Sequence, residues 1–197
     1  MLNPIYEQNN KIFSRVTIAR VAYIYYLRDM VRLAGGYAHA TQYGVGNNPN
    51  VPERRLWQQI QWFEKKNRFN LMQWFRIEER FRTKVVAGEL TNGYNFNWRF
   101  RYNISFTIPL KGKLVAPKTP FIFLNDEVHI NAGKNIAINY FDQNRLFVGL
   151  GYQFTAYLNA HLGYMYVFQQ QSELSEYVHT DAILLFVFHN LDFRNQE

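Results

Sequence analysis

The chain has 197 residues, enough for one domain (1–197) and too few for two. Rings are abundant, with 18% aromatics, yet mean hydropathy is only −0.33, a pairing that a membrane β-barrel produces by alternating lumen-facing and lipid-facing residues. The absence of cysteine excludes disulfides and thiolate metal sites, and no run of about 18 apolar residues exists to make a transmembrane helix.

The first residues, Met1-Leu2-Asn3-Pro4-Ile5-Tyr6-Glu7, carry no signal-peptide pattern. An exported chain is therefore expected to have lost its leader or to start late. Ile12–Leu27 and Val31–Gln42 read as strands of imperfect alternation, joined by a tight turn at Arg28-Asp29-Met30. A long loop is expected from Tyr43 to Glu53, with Gly44, Gly46, Pro49 and Pro52, before a strand at Arg54–Glu64. A short link, Lys65–Phe69, leads to Leu71–Arg82. There Trp74, Arg76, Glu78, Arg80 and Arg82 share one face, and Leu71, Phe75, Ile77 and Phe81 the other, with Glu79 breaking the apolar side.

After a long loop expected at Thr83–Gly93 comes the clearest segment, Tyr94–Leu110. One parity reads Tyr94, Phe96, Trp98, Phe100, Tyr102, Ile104, Phe106, Ile108, Leu110; the other reads Asn95, Asn97, Arg99, Arg101, Asn103, Ser105, Thr107, Pro109. Period-two alternation makes one sheet face apolar and the other polar. The run exceeds the five or six residues typical of a soluble sheet and the roughly 9–11 that a tilted strand needs to cross a bilayer.

Past an intermediate link, Lys111–Pro120, the strand Phe121–Ala132 sets Ile122, Leu124, Val128 and Ile130 against Asn125, Glu127, His129 and Asn131, with Asp126 the exception. A long loop, Gly133–Asn144, precedes Arg145–Thr155. There Leu146, Val148, Leu150, Tyr152 and Phe154 oppose Arg145, Gly149, Gly151, Gln153 and Thr155. A tight turn at Ala156–Leu158 leads to His161–Gln169, and a longer link, Gln171–Val178, to a last strand, Thr180–Phe193, whose faces the pattern does not assign. Nine strands are visible.

Apart from the intermediate link, short and long connections alternate, as they do between the periplasmic and outer ends of outer-membrane barrels. The fold expected is all-β, an antiparallel up-and-down transmembrane barrel of the bacterial outer membrane. Such barrels have even strand numbers, so about ten strands are expected, with Met1–Gln8 the remnant of a truncated first one.

Several stretches resemble one family: Gly36-Tyr37-Ala38, Glu53-Arg54-Arg55-Leu56-Trp57-Gln58-Gln59, Arg76-Ile77-Glu78-Glu79-Arg80-Phe81, Asn125-Asp126-Glu127, and, most specific, the run from Phe141 to Tyr152. The chain is similar to uncharacterised β-barrel proteins of Gram-negative bacteria, regarded as outer-membrane proteins. The resemblance implies location and fold, and no activity. It departs from the family pattern at Gln73-Trp74, where basic or imidazole residues are usual, and ahead of Ile5-Tyr6-Glu7, where family members carry more sequence.

The expected polar faces gather Arg76, Glu78, Arg80, Arg82, Arg99, Arg101, Glu127, His129 and Arg145. In a narrow lumen such side chains must pair, because lone buried charges are costly. A salt-bridged plug is the expected outcome, and an anion-attracting pore or pocket the alternative. Gly149, Gly151 and Gly163 either leave space or seat a neighbouring Arg or Tyr.

The net charge of +7 does not mark a nucleic-acid binder, since the arginines lie inside strands rather than on a helix or a tail. The lipid bilayer is the expected partner, with a protein or small solute at the outer loops or lumen also open. No cofactor or metal is implied: the histidines lack metal spacing, and Asn92-Gly93 and Gly46-Asn47-Asn48-Pro49 read as loops rather than phosphate cradles. Catalytic residues are not assigned, since none of Ser14, Ser105, Ser172 and Ser175 sits in a nucleophile turn.

Two rival readings stand beside the structural barrel or narrow pore. One is a soluble lipocalin-like barrel with the Tyr94–Leu110 apolar face turned inward around an apolar ligand. The other is a membrane-embedded hydrolase using Ser with His.

Overall fold

The computed structural model describes residues 15–44, 46–134, 136, 139–171 and 176–190. Nine antiparallel strands follow one another in a single sheet, each paired with its sequence neighbours. They are β1 (Arg15–Arg28), β2 (Val31–Tyr43), β3 (Val51–Lys66), β4 (Phe69–Val86), β5 (Glu89–Pro109), β6 (Thr119–Ala132), β7 (Phe141–Gln153), β8 (Leu158–Gln171) and β9 (Glu176–His189). The up-and-down order follows from the turns: Asp29-Met30 and Asn67-Arg68 are too short for anything but a hairpin.

One expected loop is a hairpin instead. In place of a long connection at Thr83–Gly93, β4 and β5 run on past a register shift at Thr83/Lys84 to a two-residue turn, Ala87-Gly88. Both turn residues have positive φ, 50° and 82°, the conformation of a type I′ turn, whose twist matches the flanking strands. The polar residues around Asn92-Gly93 suggested a loop, but the bulge absorbs them. Beyond Arg82, β4 has no β3 partner, and β5 has no β6 partner before Trp98. The hairpin thus stands clear of the neighbouring strands at the long-connection end.

The faces fall as the alternation predicts. Along β5, Arg101, Asn103 and Ser105 are buried, while Tyr94, Trp98, Tyr102 and Leu110 are exposed. A lipocalin-like barrel would have the reverse arrangement. Three polar residues of the apolar face find local partners: Asn144 Nδ2 donates to Asp126 Oδ1 at 2.6 Å, Tyr164 donates to Asp181, and Tyr102 donates to Gln73. For β9, register settles what sequence left open. Ala182, Leu184 and Phe186 share the inner face with Met165, Gly163 and His161, and Ile183, Leu185 and Val187 point out.

A single sheet can bury one face only by curling. Arg99 on β5 reaches Asp142 on β7 at 2.7 Å, across β6. Arg20 on β1 lies within electrostatic reach of Arg101, Glu78 and Arg145 on β5, β4 and β7. The curl does not close: β1 and β9 are not paired with each other among the described residues. Their edges leave Tyr23 76% and Ile183 72% exposed. The expected tenth strand at Met1–Gln8 lies outside the described residues.

Candidate functional site

The buried face carries most of the charge. Arg101 is its centre: Nη1 donates to Glu78 Oε1 at 2.7 Å, Nε donates to Glu127 Oε1 at 2.7 Å, and Nη2 also reaches Glu127. Register explains the meeting. Arg101 stands opposite Arg76 on β4 and His129 on β6, which places both carboxylates on diagonals one step away.

Arg76 forks onto Gln59 Oε1 at 2.9 and 2.6 Å and lies 4.3 Å from the Trp57 ring and 5.0 Å from the Trp74 ring. Its Nη1 is 3.7 Å from Glu78 Oε1, so Glu78 serves two guanidiniums through one oxygen. Glu78 Oε2 is buried without a hydrogen-bond partner among the described residues.

A second group lies toward the long-connection end. Arg80 grips Glu53 in two parallel bonds of 2.6 and 2.8 Å, and Arg55 Nε reaches the same carboxylate at 2.5 Å. Arg99 pairs with Asp142 and donates to Asn131 at 3.2 Å, while Asn131 Nδ2 donates to Asp142 at 2.7 Å. His129, 1% exposed, places Nε2 2.9 Å from Glu127 Oε1, yet neither ring nitrogen meets hydrogen-bond geometry. That contact is proximity, not a directed bond. The inner faces of the neighbouring strands supply small residues that leave room: Ala38 and Ala40 on β2 stand opposite Arg55 and Glu53.

Two of the sequence-singled residues make no ion pair among the described residues, although each stands opposite a carboxylate in register, Arg145 opposite Glu127 and Arg82 opposite Glu53. Arg145 donates to Gln143 Oε1 at 3.1 Å, and its buried Nε has no hydrogen-bond partner among the described residues. Arg82 lies at the exposed rim with Gln42 Oε1 at 2.9 Å. Arg82→Gln is therefore expected to shift unfolding free energy by less than about 1 kcal/mol, as exposed polar contacts do; denaturant titration of the folded protein measures it.

Sequence reasoning missed Glu53 and Asp142, the carboxylates that pair Arg80 and Arg99. Both fell inside expected loops, although the alternation Val51, Glu53, Arg55, Trp57 was there to be followed past Pro52.

The other half of the buried face, along β6–β9, is aromatic. His161 sits among Phe121, Phe123 and Phe188, with ring centroids 5.1, 4.6 and 5.1 Å away, and Phe147 meets Phe186 edge-on at 5.4 Å. The glycines seat these rings rather than Arg or Tyr: a Cβ at Gly151 would stand 2.2 Å from the Phe121 ring, and one at Gly149 2.8 Å from Phe147. Charged and aromatic side chains together occupy the face.

Ser105 is unsuited to serine chemistry, and Ser14, Ser172 and Ser175 lie outside the described residues. Among the described residues the only serine is Ser105, and its Oγ lies 3.0 Å from the amide oxygens of Asn103 and Asn125. It has no imidazole to take its proton.

A family model described as "Protein of unknown function (DUF2490)" matches residues 6–178. The chain belongs to the DUF2490 family. No curated protein and no solved structure matches it. The match spans β1 through β8 and the start of β9, so every charged residue of the buried face described above lies within the DUF2490 region.

Proposed function

We propose that this DUF2490 chain is a transmembrane β-barrel of the bacterial outer membrane, with an interior held shut by paired arginines and carboxylates. One observation carries the reading: the distribution of polarity is inverted relative to a protein in water. Glu78, Arg101, Glu127 and His129 are buried, while Leu150, Leu162, Ile183 and Leu185 are exposed on the other face. Soluble monomers rarely expose apolar surface of that continuity, and a bilayer covers it without cost. The long strands and the alternating connections fit the same setting.

The role that follows is structural or interactive, with the long connections and the β4–β5 hairpin as the parts that meet partners. A filled interior favours this over a pore. Conduction needs a continuous water path, and Arg101 donates to both Glu78 and Glu127 on the strands either side of it, in the middle of the sheet.

The test is expression with an export signal, membrane fractionation, and gel migration of boiled against unboiled samples. Recovery in the outer membrane with a heat-dependent mobility shift is expected. Reconstituted in liposomes, the protein is expected to conduct little. A monomer that needs no detergent overturns the membrane reading, and large steady conductance overturns the plug.

A further inference from the structure

The outward face is not uniformly apolar. At the long-connection end of β2–β5, Tyr37, Arg54, Arg55, Leu56, Phe81 and Tyr94 line a groove of about 250 Å³. Register builds it: Tyr37 stands opposite Leu56, Arg54 opposite Phe81, and Tyr94 opposite Thr83 just beyond. Leu56 and Phe81 supply apolar surface between two tyrosines. The Arg54 guanidinium reaches over the Tyr94 ring, 5.7 Å from its centroid. His39 lies directly opposite Arg54 on β2.

Arg54 is a cation without an anion. It makes no ion pair among the described residues, although Glu79 on the same face lies one diagonal step away, opposite Leu56. This contrasts with the buried face, where Arg55, Arg80, Arg99 and Arg101 each hold a carboxylate.

An outward guanidinium on a membrane strand is costly in hydrocarbon and favourable at headgroup level, where tyrosines also settle. Its planar fork matches phosphate oxygens, while the rest of the groove offers rings and a leucine. Since the Arg55 guanidinium is turned to Glu53, the groove offers one unpaired cation over an apolar trough, which suits a ligand with one anionic head and a hydrocarbon tail. It suits a free inorganic ion poorly.

Resting on the membrane reading, we propose that this groove holds one net-anionic phospholipid of the surrounding bilayer. The phosphate sits on Arg54, with His39 beside it, and an acyl chain runs along Leu56 and Phe81.

The full chain reconstituted in nanodiscs of phosphatidylcholine mixed with phosphatidylglycerol tests it, with co-purified lipid identified by native mass spectrometry. Wild type is expected to retain phosphatidylglycerol preferentially. Arg54→Gln should cut that retention about tenfold, the scale of a lost charge-assisted hydrogen bond, and Arg54→Lys should keep part of it. Leu56→Gln, which leaves the cation in place, is expected to weaken retention through the tail, and serves if Arg54→Gln does not fold. Lys113→Gln, a control in the β5–β6 connection at the opposite end of the sheet, should retain lipid like wild type.

A heat-modifiable barrel whose lipid preference is unchanged by Arg54→Gln or Leu56→Gln overturns this inference alone. Arg54-dependent binding of inorganic phosphate without lipid retention overturns the lipid assignment. A detergent-independent soluble chain overturns the membrane reading and this one together.

Discussion

Glu78→Ala is expected to destabilise the fold by about 3–5 kcal/mol, the range for removing one partner of a buried ion pair. The carboxylate is 2% exposed and its Oε1 serves both Arg101, at 2.7 Å, and Arg76, at 3.7 Å. Truncation leaves Arg101 with Glu127 alone and Arg76 with only a neutral amide from Gln59. The loss is the penalty of stranding charge, not the net worth of the bridge. The triple change Glu78→Leu, Arg101→Met and Glu127→Leu, which takes out the whole triad rather than stranding Glu127, should therefore recover much of it, since apolar replacements of complete buried ion clusters are often neutral or better. Urea titration in detergent micelles, read by the boiled-against-unboiled mobility shift, gives both numbers. A Glu78→Ala protein within about 1 kcal/mol of wild type would mean that the interior is wet enough to solvate Arg101. The plug would then have to be abandoned for a hydrated lumen.

The polar face from which that prediction starts was legible because of its period. In β5, every second residue from Tyr94 to Leu110 is apolar, and an alternation that long fixes both the strand and its two faces without knowledge of any neighbour. The same holds for β4, with exceptions at Gln73 and Glu79, and for β6, with one at Asp126. What period cannot give is the partner. Arg99 is visibly polar-face in sequence, but its carboxylate, Asp142, comes from the far side of β6 and from a stretch that reads as loop. Glu53 was hidden in the same way by Pro49 and Pro52, residues that break strands elsewhere and here only flank the start of β3. Pairing within the network depends on register between strands distant in sequence, and register appears only when the whole sheet is assembled.

The connections were legible where a hairpin has to be tight and misread where composition misled. Asp29-Met30 is a turn on any reading. Thr83–Gly93 has the glycines and asparagine of a loop, yet Val85, Val86 and Leu90 carry the strands on to a two-residue turn at Ala87-Gly88. Local turn chemistry and strand propensity competed there, and pairing between the two strands decided.

The glycines of β7 and β8 show most sharply how a position that is silent in sequence becomes decisive in three dimensions. Gly163→Ala is expected to disrupt the β7–β8 pairing, although it adds a single methyl group. Gly163 stands directly opposite Gly149, and a Cβ there would lie 2.3 Å from Val148 O, 2.5 Å from Gly149 Cα and 2.7 Å from the Phe147 ring. The first two are backbone atoms of the paired strand and cannot rotate away, so the strands must part or the ladder must shift. Its φ is not in the left-handed region; the requirement is space alone. Gly88→Ala makes the contrast. A Cβ at Gly88 meets nothing within 4 Å but sits at φ +82°, so its cost is the strain of one residue, about 1 kcal/mol. Overpacking at Gly163 should exceed that and fall in the 1–3 kcal/mol range or above. The two variants, compared by urea midpoint and by the proportion that gains the compact unboiled form, separate packing from conformation. Equal losses would mean that β7 and β8 yield at Gly149, and that the aromatic half of the interior is looser than the seating of Phe147 implies.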